Sequence, residues 1–295
     1  MLHGLPSPST LHLYEPTKHN CGYCHACRAN RAKQIKLQIM HEAAFHEDNC
    51  VITFTYNDEH LPENGSLSSR DMTLMTKRLR KVLKKNFDKK IRFKYIGEYG
   101  TQGTRRAHYH YILFGHDFIE DRVLYSSSNG TKLFKSPTLD KVWSINNSPI
   151  GNALIGEFSE ATAGYVAGYI TSKPTGKLAK SLNEIIDKTT GEVFTRKNVF
   201  TAQSNRPGIG EQFYKKYLDN IYATDSVIDN NGNECLPPKY SDEILKRSNP
   251  DLYESVKKAR IKRAESKPPL TALRQSQLAK FNKIKYDRKN KREGK

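Results

Sequence analysis

His108-Tyr109-His110 sits inside a β-branched and aromatic run at residues 107–114. A strand sends alternate side chains to opposite faces, so the two imidazoles share one face and Tyr109 takes the other. Imidazole is the commonest side-chain metal ligand, and two of them side by side form the start of a metal site. The run at residues 91–98 supplies a partner strand, joined to the first by a Gly-containing connection. If residue 98 pairs with residue 108, Glu98 becomes a third ligand. The same register places Arg92, Lys94 and Ile96 on the imidazole face, and Phe93 and Tyr95 with Tyr109, Tyr111 and Leu113 on the other. One side is then metal-binding and basic, and the other apolar and aromatic. A slip of one residue would turn Glu98 away. Taken alone, the motif also reads as two strand histidines hydrogen-bonded to their neighbours.

A second constellation follows downstream. Tyr165, Tyr169 and Lys173 recur every four residues in GYVAGYITSK, so on a helix they stack along one face, with successive members about 6 Å apart along the axis. A phenol is a poor nucleophile at its free pKa near 10. A neighbouring cation that stabilises the phenolate, and a metal that polarises a phosphate, make it a competent one. Attack on a DNA phosphodiester yields a phosphotyrosine and a free 3′-hydroxyl, and the retained ester allows rejoining without ATP. Two such tyrosines allow one to hold a strand end while the other cuts again. The plainer alternative is an aromatic stripe packed on a sheet.

The elements that must carry these groups are readable from periodicity. Residues 26–46 favour helix, with Ile35, Ile39 and Ala43 at helical spacing, and residues 51–56 read as a strand. Pro62 and Asn64-Gly65 mark a loop, and Ser68 with Asp71 opens a helix with the stripe Met72, Met75, Leu79 and Val82. Residues 157–173 predict another helix, ended by Pro174 and Gly176. Beyond about residue 240 the chain is poor in aromatics and rich in Lys and Arg, which reads as marginal helix or disorder.

Charge and cysteine content narrow the class. The 295 residues carry a net charge of +18, concentrated in two patches. Residues 257–295 hold 15 Lys/Arg against 3 Asp/Glu, and residues 70–94 hold 11 against 2, leaving the remainder slightly acidic. Such an excess points to a polyanionic partner, with Lys77, Arg78, Lys81, Lys84, Lys85, Arg92 and Lys94 as candidate backbone contacts. Cys21, Cys24 and Cys27 form C-x2-C-x2-C, a spacing that can wrap one structural Zn²⁺ with a fourth ligand from elsewhere; Cys50 is one candidate, and His19 and His25 lie nearby. Arg31 stands where a ferredoxin run needs its next cysteine, which disfavours an iron–sulfur cluster. Three reduced cysteines packing a helix start are the alternative. No GxxxxGK occurs, so no nucleotide cofactor is expected. The opening residues lack the basic-then-apolar order of a secretory signal, and no run approaches the roughly 20 apolar residues of a membrane span. Neither secretion nor membrane insertion is expected.

Seven blocks in fixed order carry a family resemblance: TFTYNDEHLPENGSL at 53–67, KRLRK at 77–81, GEYG at 97–100, HYHYILFG at 108–115, SPTLDKVW at 136–143, YVAGYITSK at 165–173 and NRPGIGEQFYKKY at 205–217. With CGYCHAC at 21–27, they resemble the replication initiation proteins of small circular single-stranded DNA phages, the microviruses and especially their gokushovirus branch. The resemblance extends from residue 21 to about 260. It implies an HUH-type endonuclease and strand transferase that initiates rolling-circle replication. In that family's pattern His108 and His110 bind Mg²⁺ or Mn²⁺, Tyr165 and Tyr169 are the nucleophiles, and Lys173 is the lysine that follows them. Glu98 is assigned as third ligand by analogy with a strand carboxylate of related viral initiators. Ala107 stands where relatives often have Pro, and Ser172 replaces the first of a Lys pair.

The fold implied is α+β: a central, mainly antiparallel sheet of ferredoxin-like or RRM-like type, with helices covering one face. The expected organisation is an N-terminal arm, cysteine cluster and helix at 1–48, an endonuclease core at 49–225, an extension packed on the core at 226–256 and a basic tail at 257–295. Implied partners are single-stranded circular DNA with a phage origin, a host helicase and a host DNA polymerase, in the cytoplasm of a bacterial host. Two other readings account for part of the pattern: a non-enzymatic, zinc-braced single-stranded DNA- or RNA-binding protein, and another HUH enzyme, a transposase or relaxase.

Overall fold

A computed structural model describes residues 22, 24–100, 105–128, 130–172, 183–186, 190–266, 276–278, 280, 281, 283 and 284. Strand β1 (Asn49–Thr55) alternates as its sequence demands, with Cys50, Ile52 and Phe54 buried and the residues between them half-buried. It pairs with β3 (Ala107–Phe114) on one side and β6 (Ala153–Glu157) on the other. Beyond β3 lie β2 (Arg92–Tyr99) and β7 (Phe200–Gln203), and beyond β6 lie β5 (Thr131–Lys135) and β4 (Val123–Ser128). The seven strands form one antiparallel sheet in the order β7-β2-β3-β1-β6-β5-β4.

Helix α2 (Ser69–Phe87) starts where the capping signal lies: the Ser68 side chain accepts a hydrogen bond from the Asp71 N–H at 3.2 Å. Its apolar stripe, Met72, Met75, Leu79 and Leu83, packs on Phe54, Phe93, Tyr95, Tyr109 and Tyr111. Leu139 and Val142 of α3 (Pro137–Val142) join the same core with Trp143, whose indole N–H donates to the Thr55 carbonyl at 2.9 Å. The segment β1-α2-β2-β3-α3-β6 is therefore a β-α-β-β-α-β unit with both helices on one face.

The other face is covered too, which the expectation of helices on one face does not include. Helices α1 (His25–Ala43) and α4 (Glu160–Ser172) set Ile39, Ala43, Ala163 and Val166 against Ile96, Ile112 and Phe114. The cause is in the strands. On their imidazole side β2 and β3 also carry these three large apolar residues, and burying them requires a second layer.

Register between β2 and β3 is fixed by side-chain shape. Gly97 pairs with Tyr109, and a Cβ on Gly97 would lie 2.8 Å from the Tyr109 ring. The bare glycine lets that ring lie across β2. The Tyr109 hydroxyl then meets the Ser68 N–H at 2.7 Å, the Ser68 carbonyl at 3.1 Å and the Tyr56 hydroxyl at 3.0 Å. One phenol thus ties the central strand to the start of α2.

A smaller helical layer hangs on the outer side of α1. Tyr214 of α5 (Glu211–Lys216), Ile221 and Tyr222 of α6 (Leu218–Thr224), Ile244 and Leu245 of α7 (Lys239–Ser248) and Val256 of α8 (Pro250–Glu265) cluster with Leu37. The chain beyond residue 240 is therefore helical as far as Glu265, where its composition predicts marginal helix or disorder. A few well-spaced apolar anchors suffice because the Arg260 guanidinium also bridges Asp225 and Asp242. The residue-257 boundary expected for the basic tail falls inside α8.

Two stability outcomes follow. Gly97→Ala should cost about 1–3 kcal/mol in chemical denaturation, because the added methyl must displace the Tyr109 ring. His41 is buried flat against Phe213 at 3.9 Å, with Nδ1 3.1 Å from the Tyr214 hydroxyl, and burial pushes its pKa down to about 4. Between pH 6.5 and 4 the unfolded chain therefore binds more protons at this group, so stability falls as pH falls. The loss should reach about 3 kcal/mol at pH 4, and the difference between wild-type and His41→Gln denaturation curves measures it.

Candidate active site

The hairpin of β2 and β3 brings three ligand-type side chains together at its open end. Glu98 pairs directly with His108, and Ile96 with His110, as the sequence register requires. Glu98 Oε1 lies 3.2 Å from His108 Nε2 and 3.3 Å from His110 Nε2. One ligand atom from each residue falls within a 4.8 Å span, and Glu98 is only 1% exposed.

Both imidazoles are held by their other nitrogen. His108 Nδ1 is 3.2 Å from the Arg106 carbonyl, which can only accept, so Nδ1 carries the proton and Nε2 presents its lone pair. His110 Nδ1 is 3.3 Å from the Thr53 hydroxyl on β1. Orienting bonds of this kind are what metal-bound histidines characteristically have. The donor set of one carboxylate and two imidazoles, gathered and oriented, fits a divalent metal ion.

Helix α4 adds the tyrosine pair. The four-residue spacing puts both phenols over His110: ring centroids are 5.3 Å apart for Tyr165 and 5.6 Å for Tyr169. The Tyr165 hydroxyl donates to the Tyr169 hydroxyl at 2.9 Å, and the two rings meet edge-on at 4.5 Å. Small residues permit the close seating of α4; at Gly164 a Cβ would come 3.4 Å from the Lys36 side chain of α1. Tyr165 is half-buried and Tyr169 is 6% exposed. Five side chains with phosphoryl-transfer chemistry thus share one pocket rim. Lys173 lies outside the described residues.

The other candidates go elsewhere. Lys77, Lys81, Lys84 and Lys85 are exposed, but α2 lies on the sheet face opposite the imidazoles. Lys84 pairs with Asp88, and the Arg78 guanidinium donates to the Ser144 carbonyl. Arg92 and Lys94 share the imidazole side, as their register requires, yet both are drawn inward. Arg92 pairs with the buried Glu42 and donates to the Pro207 and Gly208 carbonyls at 2.8 and 2.9 Å. Burial would raise the Glu42 pKa, but hydrogen bonds from His46, the Gly210 N–H and Arg92 outweigh it and hold the carboxyl below its ordinary value. Lys94 is 6% exposed and donates to Gln203; burial, with Arg31 nearby, pushes its ammonium down to about 8. The imidazole face is therefore less basic than its sequence suggests.

Among the cysteines, Cys24 caps α1 and Cys27 lies in its first turn, while Cys21 lies outside the described residues. Cys50 is buried in β1 on the opposite face from α1, donating to the His116 carbonyl at 3.4 Å, and burial raises its thiol pKa strongly. The structure does not bring Cys50 to the helix start.

Two orienting groups, Thr53 and the Arg106 carbonyl, had no chemical motif to flag them. Thr53 was findable only through the alternation of β1, once β1 is known to lie beside β3.

Comparison with known proteins bears on this pocket. Residues 49–174 match the family model for the replication-associated protein of the ORF2 type. The matched stretch opens at the first residue of β1 and closes just past α4, so it encloses Glu98, His108, His110 and both tyrosines. Replication-associated protein VP4 of Bdellovibrio phage phiMH2K is 26% identical over 250 residues, 83% of this chain and 73% of the relative. Replication-associated protein ORF2 of Spiroplasma virus 4 is 26% identical over 255 residues, with the same two coverages. Replication-associated protein ORF4 of Chlamydia phage 1 is 26% identical over 231 residues, 77% of this chain and 53% of that protein. The chain resembles the microvirus replication-associated proteins. No solved structure matches it. No helix among the described residues is long and apolar enough to cross a membrane.

The site yields a direct binding test. In a Mn²⁺ titration followed by the electron paramagnetic resonance signal of the free ion, Glu98→Gln and His108→Ala should each weaken binding at least tenfold. Thr53→Val keeps all three ligands but removes the bond orienting His110, and should weaken it by about tenfold. Equal affinities across these variants would exclude the three residues as a metal site.

Proposed function

We propose that this chain initiates rolling-circle replication by nicking single-stranded DNA at a phage origin and later closing the strand into a circle. The observation that carries the reading is the placement of Tyr165 and Tyr169 over His110, beside the Glu98–His108–His110 cluster, within the stretch shared with replication-associated proteins.

Glu98, His108 and His110 would hold Mg²⁺ or Mn²⁺, which supplies Lewis acidity toward a phosphate oxygen. The rest belongs to the side chains. One tyrosine oxygen attacks the scissile phosphorus as the bond from phosphorus to the 3′-oxygen breaks. The products are a 5′-phosphotyrosine and a strand whose 3′-oxygen has taken up a proton. The phenols are bonded to each other, so whichever keeps its proton can donate to the other's oxygen as negative charge develops there. Lys173, on the same helical repeat, balances charge on the phenolate or phosphate. The freed 3′-hydroxyl primes a host polymerase, with a host helicase opening the duplex, in the bacterial cytoplasm. When the origin is regenerated the second tyrosine cuts, and the first strand's 3′-hydroxyl attacks the original phosphotyrosine to release a circle.

The tyrosines follow the histidines in the chain, whereas relaxases usually have them before, which argues against that reading. A binding protein without catalysis has one observation in its favour: Tyr169 is almost wholly buried, as a packing residue would be. The two readings separate on covalent chemistry. Incubated with Mn²⁺ and labelled single-stranded circular DNA carrying an origin, the wild-type chain should give a covalent adduct on a 5′ end in a denaturing gel. Chelation of the metal, His110→Ala and the Tyr165→Phe/Tyr169→Phe double variant should each abolish it, and one single Phe variant should cut without releasing circles. Tight binding with no adduct on any origin-bearing circle would favour the binding protein.

A further inference from the structure

The imidazole face of the sheet is only half covered. Helices α1 and α4 close over β2 and β3, while Thr53 and Thr55 of β1, Leu154 of β6 and Leu133 and Lys135 of β5 remain half-exposed on that same face. This open half starts at the metal cluster itself, because Thr53 is bonded to His110. It ends at the edge strand β4.

That edge has an unusual composition. Val123, Leu124 and Tyr125 are 61%, 58% and 56% exposed in succession, followed by three serines. Scattered exposed apolar residues need no explanation, but a contiguous row on an edge strand does. Tyr125 is also the extra residue of a β-bulge: Leu124 pairs with Phe134 and Ser126 with Leu133, leaving Tyr125 without a partner in the ladder. Bulges re-aim side chains, and here the ring comes to the Lys135 ammonium, whose Nζ lies 4.5 Å from the ring centroid. Lys135 also donates to Asn152 at 3.2 Å, which fixes it at the rim of the open face. The face positions of β1, β6, β5 and β4 include no Asp or Glu.

We infer that the β4–β5 hairpin is a single-stranded DNA contact site, with Tyr125 a stacking platform for a base and Lys135 a contact for the adjoining phosphate, and that the strand crosses the open half-sheet between this hairpin and the metal cluster. This rests on the nicking reading for the strand's destination, though the contact itself does not. An exposed ring beside a fixed cation on a surface free of carboxylates suits a polyanion with stacking faces. From β3 to β4 there are four interstrand spacings, roughly 19 Å, so the hairpin would grip the strand several nucleotides from the scissile phosphate. The basic face of α2 lies behind the sheet and cannot perform this task.

The test is fluorescence anisotropy with a labelled 20-residue oligothymidylate, run beside the origin-circle cleavage assay. Tyr125→Ala should weaken oligothymidylate binding by about tenfold, and Tyr125→Phe, which keeps the ring, should bind as wild type. Lys135→Gln should lower the salt slope of binding by about 0.7. All are surface changes outside the cluster, so Mn²⁺ affinity should be unchanged. Wild-type affinity in Tyr125→Ala and Lys135→Gln, with cleavage intact, would overturn the inference while leaving the nickase standing. Weakened binding in a chain that never cleaves would support the hairpin contact and remove the nicking reading. Loss of self-association in Tyr125→Ala by sedimentation, with DNA affinity unchanged, would overturn it in favour of a second copy on this edge.

Discussion

The site depends on the register between β2 and β3, and that register is held by one aromatic ring crossing one bare backbone position. Strand side chains alternate, so a slip of a single residue would send Glu98 to the α2 core and leave the histidines beside Gly97 or Tyr99. Tyr109 prevents it. It sits between the two histidines in sequence, points the other way, lies across Gly97 and is tied by its hydroxyl to Ser68. The residue between the ligands is thus the one that aims them.

Around that hairpin the two faces of the sheet do different work. The α2 side is a dense aromatic core, with Phe93, Tyr95 and Tyr111 stacked at 5–6 Å and Trp143 closing the end near Thr55. The imidazole side is a mosaic: apolar where α1 and α4 cover it, ionic where Glu42 and Arg92 meet the Pro207–Gly210 loop, polar and open beyond β1. Burying Glu42 is tolerable because three donors converge on it. The same cluster ties α1, β2 and the Pro207–Gly210 loop to one another, so the covering layer and the sheet are positioned together.

Much of this was legible in the sequence because it depends on local periodicity. The alternation of residues 91–98 and 107–114 gave the strands, their facing sides and the pairing of Glu98 with His108. Ser68, Asp71 and the methionine stripe gave α2. What periodicity cannot show is which layer an element joins. The lysines of α2 were readable as an exposed basic face, but not as a face turned away from the histidines. Arg92 and Lys94 were readable as neighbours of the ligands, but their inward partners, Glu42 and Gln203, come from segments about 50 and 109 residues away. Cys50 looked like a fourth thiolate until β1 became a central strand with that side chain on its core face. Tyr125 had no motif at all; its character comes from a bulge, and a bulge is a property of two strands together.

The stretch shared with replication-associated proteins begins at β1 and ends just past α4, yet it is not a self-sufficient unit. Its β2 edge is completed by β7, from residues 200–203, and its imidazole face is roofed in part by α1, from residues 25–43. Excised on its own, it would present Ile96, Ile112 and Phe114 to water along with an unpaired strand edge, which are conditions for aggregation rather than folding. The chemistry is thus confined to one continuous segment, whereas the solubility of that segment is supplied from both sides of it. Any rearrangement that transplants the catalytic segment into another protein must carry along an equivalent of α1 and β7.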